Sequence, residues 1–410
     1  MKVRPRLAFC VVIAFAGCAP DFQGNLPPVP TPAGNPPSEA KRVLGKILFW
    51  DEQLSSDDTV ACGTCHIPAH GGADPRAGLH PGRKPGTFDD VAGSPGIVSL
   101  DPHGRPQEHP VFGFEPQVTP RVSPSNFGAL WAPELFWDGR AGGRFVDPVS
   151  GVVVLETGGA LENQAMSALS NEAEMARSGR TWSDLTGKLA AAVPLQLASD
   201  LPPDVAAALT RRGTYPGLFE AAYGTAEINP VRIAFALAAY QRTLVADQTP
   251  WDRFVAGDQD ALGSREQFGW QQFQAMHCDA CHVPPLFTNN RFFNIGVRRS
   301  EHDAGRMTVT GLDANAGEFK VPSLRNVGLR PRLMHTGEHG SLAAAIQVYV
   351  DSIPSPDRDN IPGFGNYSFN FVTGGQSAIR VFLENGLTDP RVRDETFPFD
   401  RPTLGSENGR

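Results

Sequence analysis

The residues of this 410-residue chain best able to do chemistry fall into two C-x-x-C-H units, Cys62-Gly63-Thr64-Cys65-His66 and Cys278-Asp279-Ala280-Cys281-His282. Two thiols on one turn can form thioethers with the vinyl groups of a haem, and the histidine that follows then reaches the iron as proximal ligand. The chain has six cysteines. Cys10 and Cys18 fall in an N-terminal targeting segment, so the two motifs use all the rest and leave none for a structural disulfide. Two other chemistries use the same residue types. Zinc pairs usually sit about 12–20 residues apart, whereas these motifs are more than two hundred positions apart. A redox C-x-x-C pair has no need of a following histidine. The motifs therefore predict two covalently bound c-type haems, with His66 and His282 as iron ligands.

The spacing also predicts how these groups are positioned. One haem per domain implies a mainly α protein with two cytochrome c-like helical domains. The 43 glycines and 37 prolines add long irregular loops. Ala40, Val43, Leu44, Ile47 and Leu48 recur at helical period just before the first motif, with Ser38 as N-cap. Ser264-Arg265-Glu266-Gln267 has the form of a capping box opening a helix toward Cys278. Asn229-Pro230 opens another through Ile233, Leu237, Tyr240 and Leu244. Strand signals are few, and Val152 to Leu155 between glycines predicts a small hairpin.

Lys2, Arg4 and Arg6 precede an apolar run from Leu7 to Gly17, shorter than the roughly 20 residues that span a bilayer. This predicts a signal peptide over 1–18 and an exported, periplasmic protein. Phe15-Ala16-Gly17-Cys18 has the form of a lipoprotein cleavage box, which leaves a lipid anchor at Cys18 and ordinary cleavage both open. Residues 19–37, with seven prolines, read as a linker. The rest divides into an N-terminal haem domain over 38–225 and a C-terminal one over 226–410. A net charge of −8 without a long basic run gives no electrostatic support for nucleic-acid binding.

From about Leu44 to Tyr349 the chain resembles the bacterial di-haem cytochrome c peroxidase and MauG superfamily. The resemblance rests on five ordered blocks. They are Leu44-Gly45-Lys46-Ile47-Leu48-Phe49 leading to Cys62; Phe136-Trp137-Asp138-Gly139-Arg140-Ala141; Gln164 followed by Glu174-Met175; Lys320-Val321-Pro322-Ser323-Leu324-Arg325-Asn326; and His335-Thr336-Gly337. It implies that His66 serves the haem that meets peroxide and His282 the electron-handling haem. It implies Glu174 as distal acid/base with Gln164 beside it, and Trp137 as electron relay with His335 near that path. Arg325 is read either as a contact to a haem propionate or as an exposed or structural arginine. Tyr349 falls where the family places the second haem's sixth ligand, a Met in peroxidases and a Tyr in MauG-type members; Met334 is the nearest alternative in this chain.

The chemistry suits these roles. Splitting an O–O bond needs a group that moves a proton between the two oxygens, and a carboxylate does so with an effect of about 10²–10⁴-fold. An indole between cofactors can carry an electron. A tyrosinate ligand lowers an iron potential that Met would raise.

The chain also departs from the family. Residues 144–159 form an insertion between Trp137 and Gln164. His70, His80, His103 and His109 lie in no motif that would ligate the first iron, so an open sixth position is expected there. The family's calcium site uses an Asn after an Arg, but here Arg121 precedes Val122, which leaves only backbone carbonyls for calcium. The resemblance thus implies hydrogen peroxide as substrate and a small cytochrome c-type donor. Two rivals stay open: a MauG-type enzyme oxidising residues of a partner protein, and a non-enzymatic di-haem electron carrier.

Overall fold

The computed structural model describes residues 26–82, 86, 89–351 and 371–409; the signal peptide and Cys18 lie outside them. Among these residues the fold is mainly helical, and its strands form only two-stranded antiparallel pairs.

The first core is organised by helix Glu39–Trp50. Ser38 caps it, its Oγ accepting from the Lys41 amide at 3.2 Å, as its sequence predicts. The helix lays Leu44, Ile47 and Leu48 against helix Pro230–Gln241, and Gly45 lets the two backbones meet, since a Cβ there would strike the Ala236 carbonyl. Each such fully buried aliphatic side chain contributes about 1.5–3 kcal/mol. Helix Pro230–Gln241, capped by Asn229 through the Arg232 amide at 3.0 Å, is apolar nearly all round and therefore needs cover on every side. Trp50 Nε1 donates to the Tyr240 hydroxyl at 3.1 Å. This helix starts beyond the 225/226 boundary drawn from the sequence, yet it packs in the first core. The last described residues also return there through Val392, Phe399 and Leu404. Lys46, fully buried, pairs with Asp400 at 2.9 Å and Asp204 at 3.1 Å.

The second core gathers helices Ser264–Ala275, Leu342–Val350 and Gly375–Val381 around Trp251, Phe273, Phe287 and Phe382. The Trp251 and Phe287 rings meet edge to face at 4.9 Å. Gly269 permits close approach to the Ala378 carbonyl. The capping box expected at Ser264 does not form. Gly263 is the N-cap, Ser264 is already inside the helix, and the Glu266 carboxylate accepts instead from Asn385 Nδ2 at 3.0 Å.

The expected hairpin is present, Val153–Leu155 pairing with Phe145–Val146. Phe145 and Leu155 are buried while Val149 and Val152 stand exposed. The described part of the proline-rich segment lies on the fold. Trp131 Nε1 donates to the Pro27 carbonyl at 3.1 Å, and the buried Asn35 amide donates to Glu162 and to the Phe235 carbonyl. The two cores are tied by Arg121–Asp303 at 2.7 Å and Arg306–Glu134 at 2.9 Å, and by Arg298 donating to the Asp89 and Asp90 carbonyls. No described helix is long and apolar enough to cross a membrane.

Candidate functional site

Each C-x-x-C-H unit opens onto its own cavity. The first is lined by Cys62, Cys65, His66, Gln164 and Glu174. The second is lined by Cys278, Cys281, His282, Met334, His335 and Tyr349.

Both histidines are aimed by backbone carbonyls. His66 Nδ1 lies 2.9 Å from the Gly72 carbonyl oxygen, and His282 Nδ1 lies 3.2 Å from those of Phe287 and Pro322. A carbonyl only accepts, so Nδ1 carries the proton and Nε2 is left with its lone pair for a metal. Burial favours the same neutral ring, pushing His66 below the usual histidine range and His282 down to about 4. Burial likewise pushes the Cys62 and Cys278 thiols up to about 12.

Glu174 sits in the turn after helix Ala160–Ser170, the helix that carries Gln164. Its carboxylate accepts from Asn171 Nδ2 at 2.7 Å, and Asn171 Oδ1 in turn accepts from the Ala173 amide. Burial raises its pKa, opposed by the Arg140 guanidinium and by the Asn171 bond. Gly96 lets a strand pass directly against this turn, where a Cβ would strike the Ala173 carbonyl. Among the described residues His66 is the only histidine lining this cavity. His80 packs on Phe112, and the His109 ring accepts from the Val111 and Phe112 amides.

Trp137 lines both cavities and is only 6% exposed. Its Nε1 donates to the Val122 carbonyl at 2.9 Å. The Val122 amide in turn donates to the His335 carbonyl at 3.0 Å. Arg121, next in the chain, donates to Asp138 at 2.6 Å, bridges to Asp303, and lies over the Phe319 ring at 5.2 Å. Phe319 stacks on the His335 imidazole, centroids 3.6 Å apart and 15° from parallel. Burial pushes His335 down to about 3, so it is neutral at ordinary pH.

Tyr349 and Met334 both line the second cavity, with Tyr349 on the same helix as the buried Leu342 and Ile346. Arg325 does not line it. Its guanidinium is spent on Asp252, at 2.6 and 2.8 Å, and on the Pro285 and Ala246 carbonyls. Of the two readings of Arg325, the structure supports the structural one over the propionate contact: four of its five N–H donors are engaged, two of them on Asp252, away from the cavity lining. Sequence reasoning missed Arg330, which does line the second cavity, and the bridging role of Arg121.

The family model for di-haem cytochrome c peroxidase matches residues 39–260. The methylamine utilization protein MauG of Methylorubrum extorquens is 30% identical over 325 residues, spanning 78% of this chain and 72% of that protein. The cytochrome c peroxidase Ccp of Escherichia coli is 26% identical over 358 residues, spanning 84% and 61%. Among solved structures, a MauG-like protein associated with microbial copper homeostasis superposes with a TM-score of 0.60 at 21% identity. That match covers 94% of this chain and 97% of the other.

Proposed function

This chain belongs to the di-haem cytochrome c peroxidase family, and on that premise we propose that it reduces hydrogen peroxide to water with electrons from a small cytochrome c-type carrier. The observation that carries this reading is an asymmetry. A half-buried carboxyl, Glu174, faces the first cavity, while no Asp or Glu is found among the described residues lining the second. Proton chemistry belongs to the first site and electron handling to the second.

The residues fit two c-type haems: each cavity presents a cysteine pair and a histidine whose Nδ1 is engaged by a carbonyl. Bound there, a haem supplies an iron that exchanges single electrons and, at the first site, a position where peroxide can coordinate. The protein does the rest. The Gly72 carbonyl fixes the His66 ring. The Gln164 amide, which both donates and accepts, orients peroxide. Ionised Glu174 takes the proton from one peroxide oxygen and returns it to the other, which leaves as water. Two electrons and two protons convert one peroxide to two waters. Trp137, which borders both cavities, offers the path for electrons arriving from the second site. The same reading assigns an exported location, supported by the Lys2–Gly17 segment, with Cys18 as the residue a lipid anchor would use.

A second reading has a specific observation behind it. Tyr349 lines the second cavity, and a phenolate on that iron would lower its potential, which suits the oxidation of a partner protein. A pure electron carrier has no use for Glu174. The three separate in one experiment: peroxide is added to the mature protein with and without reduced cytochrome c. A peroxidase consumes two reduced cytochromes per peroxide. A MauG-type enzyme changes spectrum without that turnover, and a carrier does neither, which would sink the proposal.

A further inference from the structure

Arg330 is a buried charge without a counter-charge. Four arginines are buried among the described residues. Arg42 pairs with Glu39 and Asp204, Arg242 with Glu162, and Arg325 with Asp252. Arg330, at 6% exposure, has no carboxylate partner among the described residues. Its Nε has no hydrogen-bond partner, and its Nη2 reaches only the Ser123 carbonyl at 3.4 Å. Burial alone acts on it, pushing the guanidinium down to about 10. A guanidinium taken out of water is heavily penalised unless an anion meets it.

Its position says which anion. Arg330 lines the second cavity, the one that holds His282. Its stem packs against the turn after the first motif, where a Cβ on Gly71 would fall 2.9 Å from Arg330 Cγ. Its charge acts on the His66 imidazole. Ser123, whose carbonyl it touches, donates its Oγ to the Cys65 carbonyl at 3.0 Å. The cation thus stands between the two attachment sites, aligned with an opening that has no acid of its own.

We infer that Arg330 is a carboxylate-binding residue whose partner is a propionate of the haem attached at Cys278 and Cys281. The inference rests on the two-haem reading and adds to it a site where the protein sets cofactor potential. A fixed cation beside an iron favours its reduced form, so removing it lowers the reduction equilibrium. The effect is largest at the second haem and smaller at the first.

The test uses fully matured protein titrated spectroelectrochemically without peroxide. In Arg330→Gln the reduction equilibrium of the second haem falls at least tenfold, about 59 mV for one electron, and that of the first falls by less. Arg330→Lys stays within threefold at both. Arg325→Gln lowers thermal stability but shifts neither haem tenfold. Unchanged potentials in Arg330→Gln, a larger shift at the first haem, or a lysine variant displaced as far as the glutamine one would each overturn the inference. Should Arg330→Gln not mature, Arg330→Lys decides. Two haems within threefold of the parent support the inference, and loss of a haem or a tenfold shift refutes it. Failure of peroxide turnover leaves these titrations untouched, whereas fewer than two haems in the parent protein removes the reading beneath them.

Discussion

Trp137 and His335 meet edge to face with ring centroids 6.3 Å apart at 64°, and Val122 joins them by donating to one backbone and accepting from the other's indole. Two cavities that share no ligand are thereby held in a fixed relation. Trp137→Phe keeps an aromatic ring but gives up the bond to Val122 and the larger, more easily oxidised indole. Electron delivery from the pre-reduced second haem to the first, after one equivalent of peroxide, is expected to slow at least tenfold, followed by stopped-flow absorbance. A rate within twofold of the parent would remove Trp137 from the path.

Glu174→Gln should retain both haems yet react with peroxide about 10²–10⁴-fold more slowly. The same carboxyl gives a pH signature. Burial raises its folded pKa, so the carboxylate needed as base disappears as pH falls through a value higher than that of a free glutamate. The parent's rate with peroxide should fall with it, while the glutamine variant stays flat across that window.

Stability runs the other way at this residue. A raised folded pKa means the folded state binds the proton more tightly, so its stabilising effect is present at low pH and lost as pH rises through the folded pKa. Glu174→Gln should therefore melt at or above the parent temperature at pH 7–8. The difference should shrink toward zero only as pH falls well below the ordinary glutamate value of about 4.3, where both states become protonated. A glutamine variant less stable than the parent at neutral pH would show that its bond to Asn171 outweighs desolvation.

Arg325→Ala leaves the Asp252 carboxylate buried and unpaired. The expected loss is about 3–5 kcal/mol, as for other broken buried pairs, read from denaturant midpoints at unchanged slope. The spectrum of the second haem in the folded fraction should remain that of the parent, since the guanidinium does not line that cavity.

Tyr349→Met should raise the potential of the second haem and increase turnover with reduced cytochrome, while Tyr349→Phe should alter that haem's spectrum. A phenylalanine variant with the parent spectrum and potential would assign Tyr349 to packing and direct the search for a ligand to Met334.

What could be read from the sequence was whatever is local. Two cysteines and a histidine on one turn announce their chemistry within five residues. Ser38 and Asn229 cap the helices they precede, and the Phe145–Leu155 hairpin forms between its glycines. Ser264 shows the limit of such signals: a one-residue shift places Gly263 at the cap and frees Glu266 for Asn385, 119 positions away. The same limit explains Arg325 and Arg330, two arginines five residues apart. Only the distant Asp252, 73 positions from Arg325, decides which is satisfied and which is left facing a cavity. The place of helix Pro230–Gln241 was hidden for a related reason. Its apolar surface announces burial but not which core receives it.

The return of residues 390–409 to the first core has a consequence for the order of events in biogenesis. Lys46 meets Asp400, and the Glu52 carboxylate accepts from the Ser406 amide, each across 354 positions. The N-terminal unit therefore cannot close until nearly the whole described chain has emerged, and contacts of such long range form slowly. The tail therefore acts as a late-arriving clasp on the first core, holding the two ends of the described chain together.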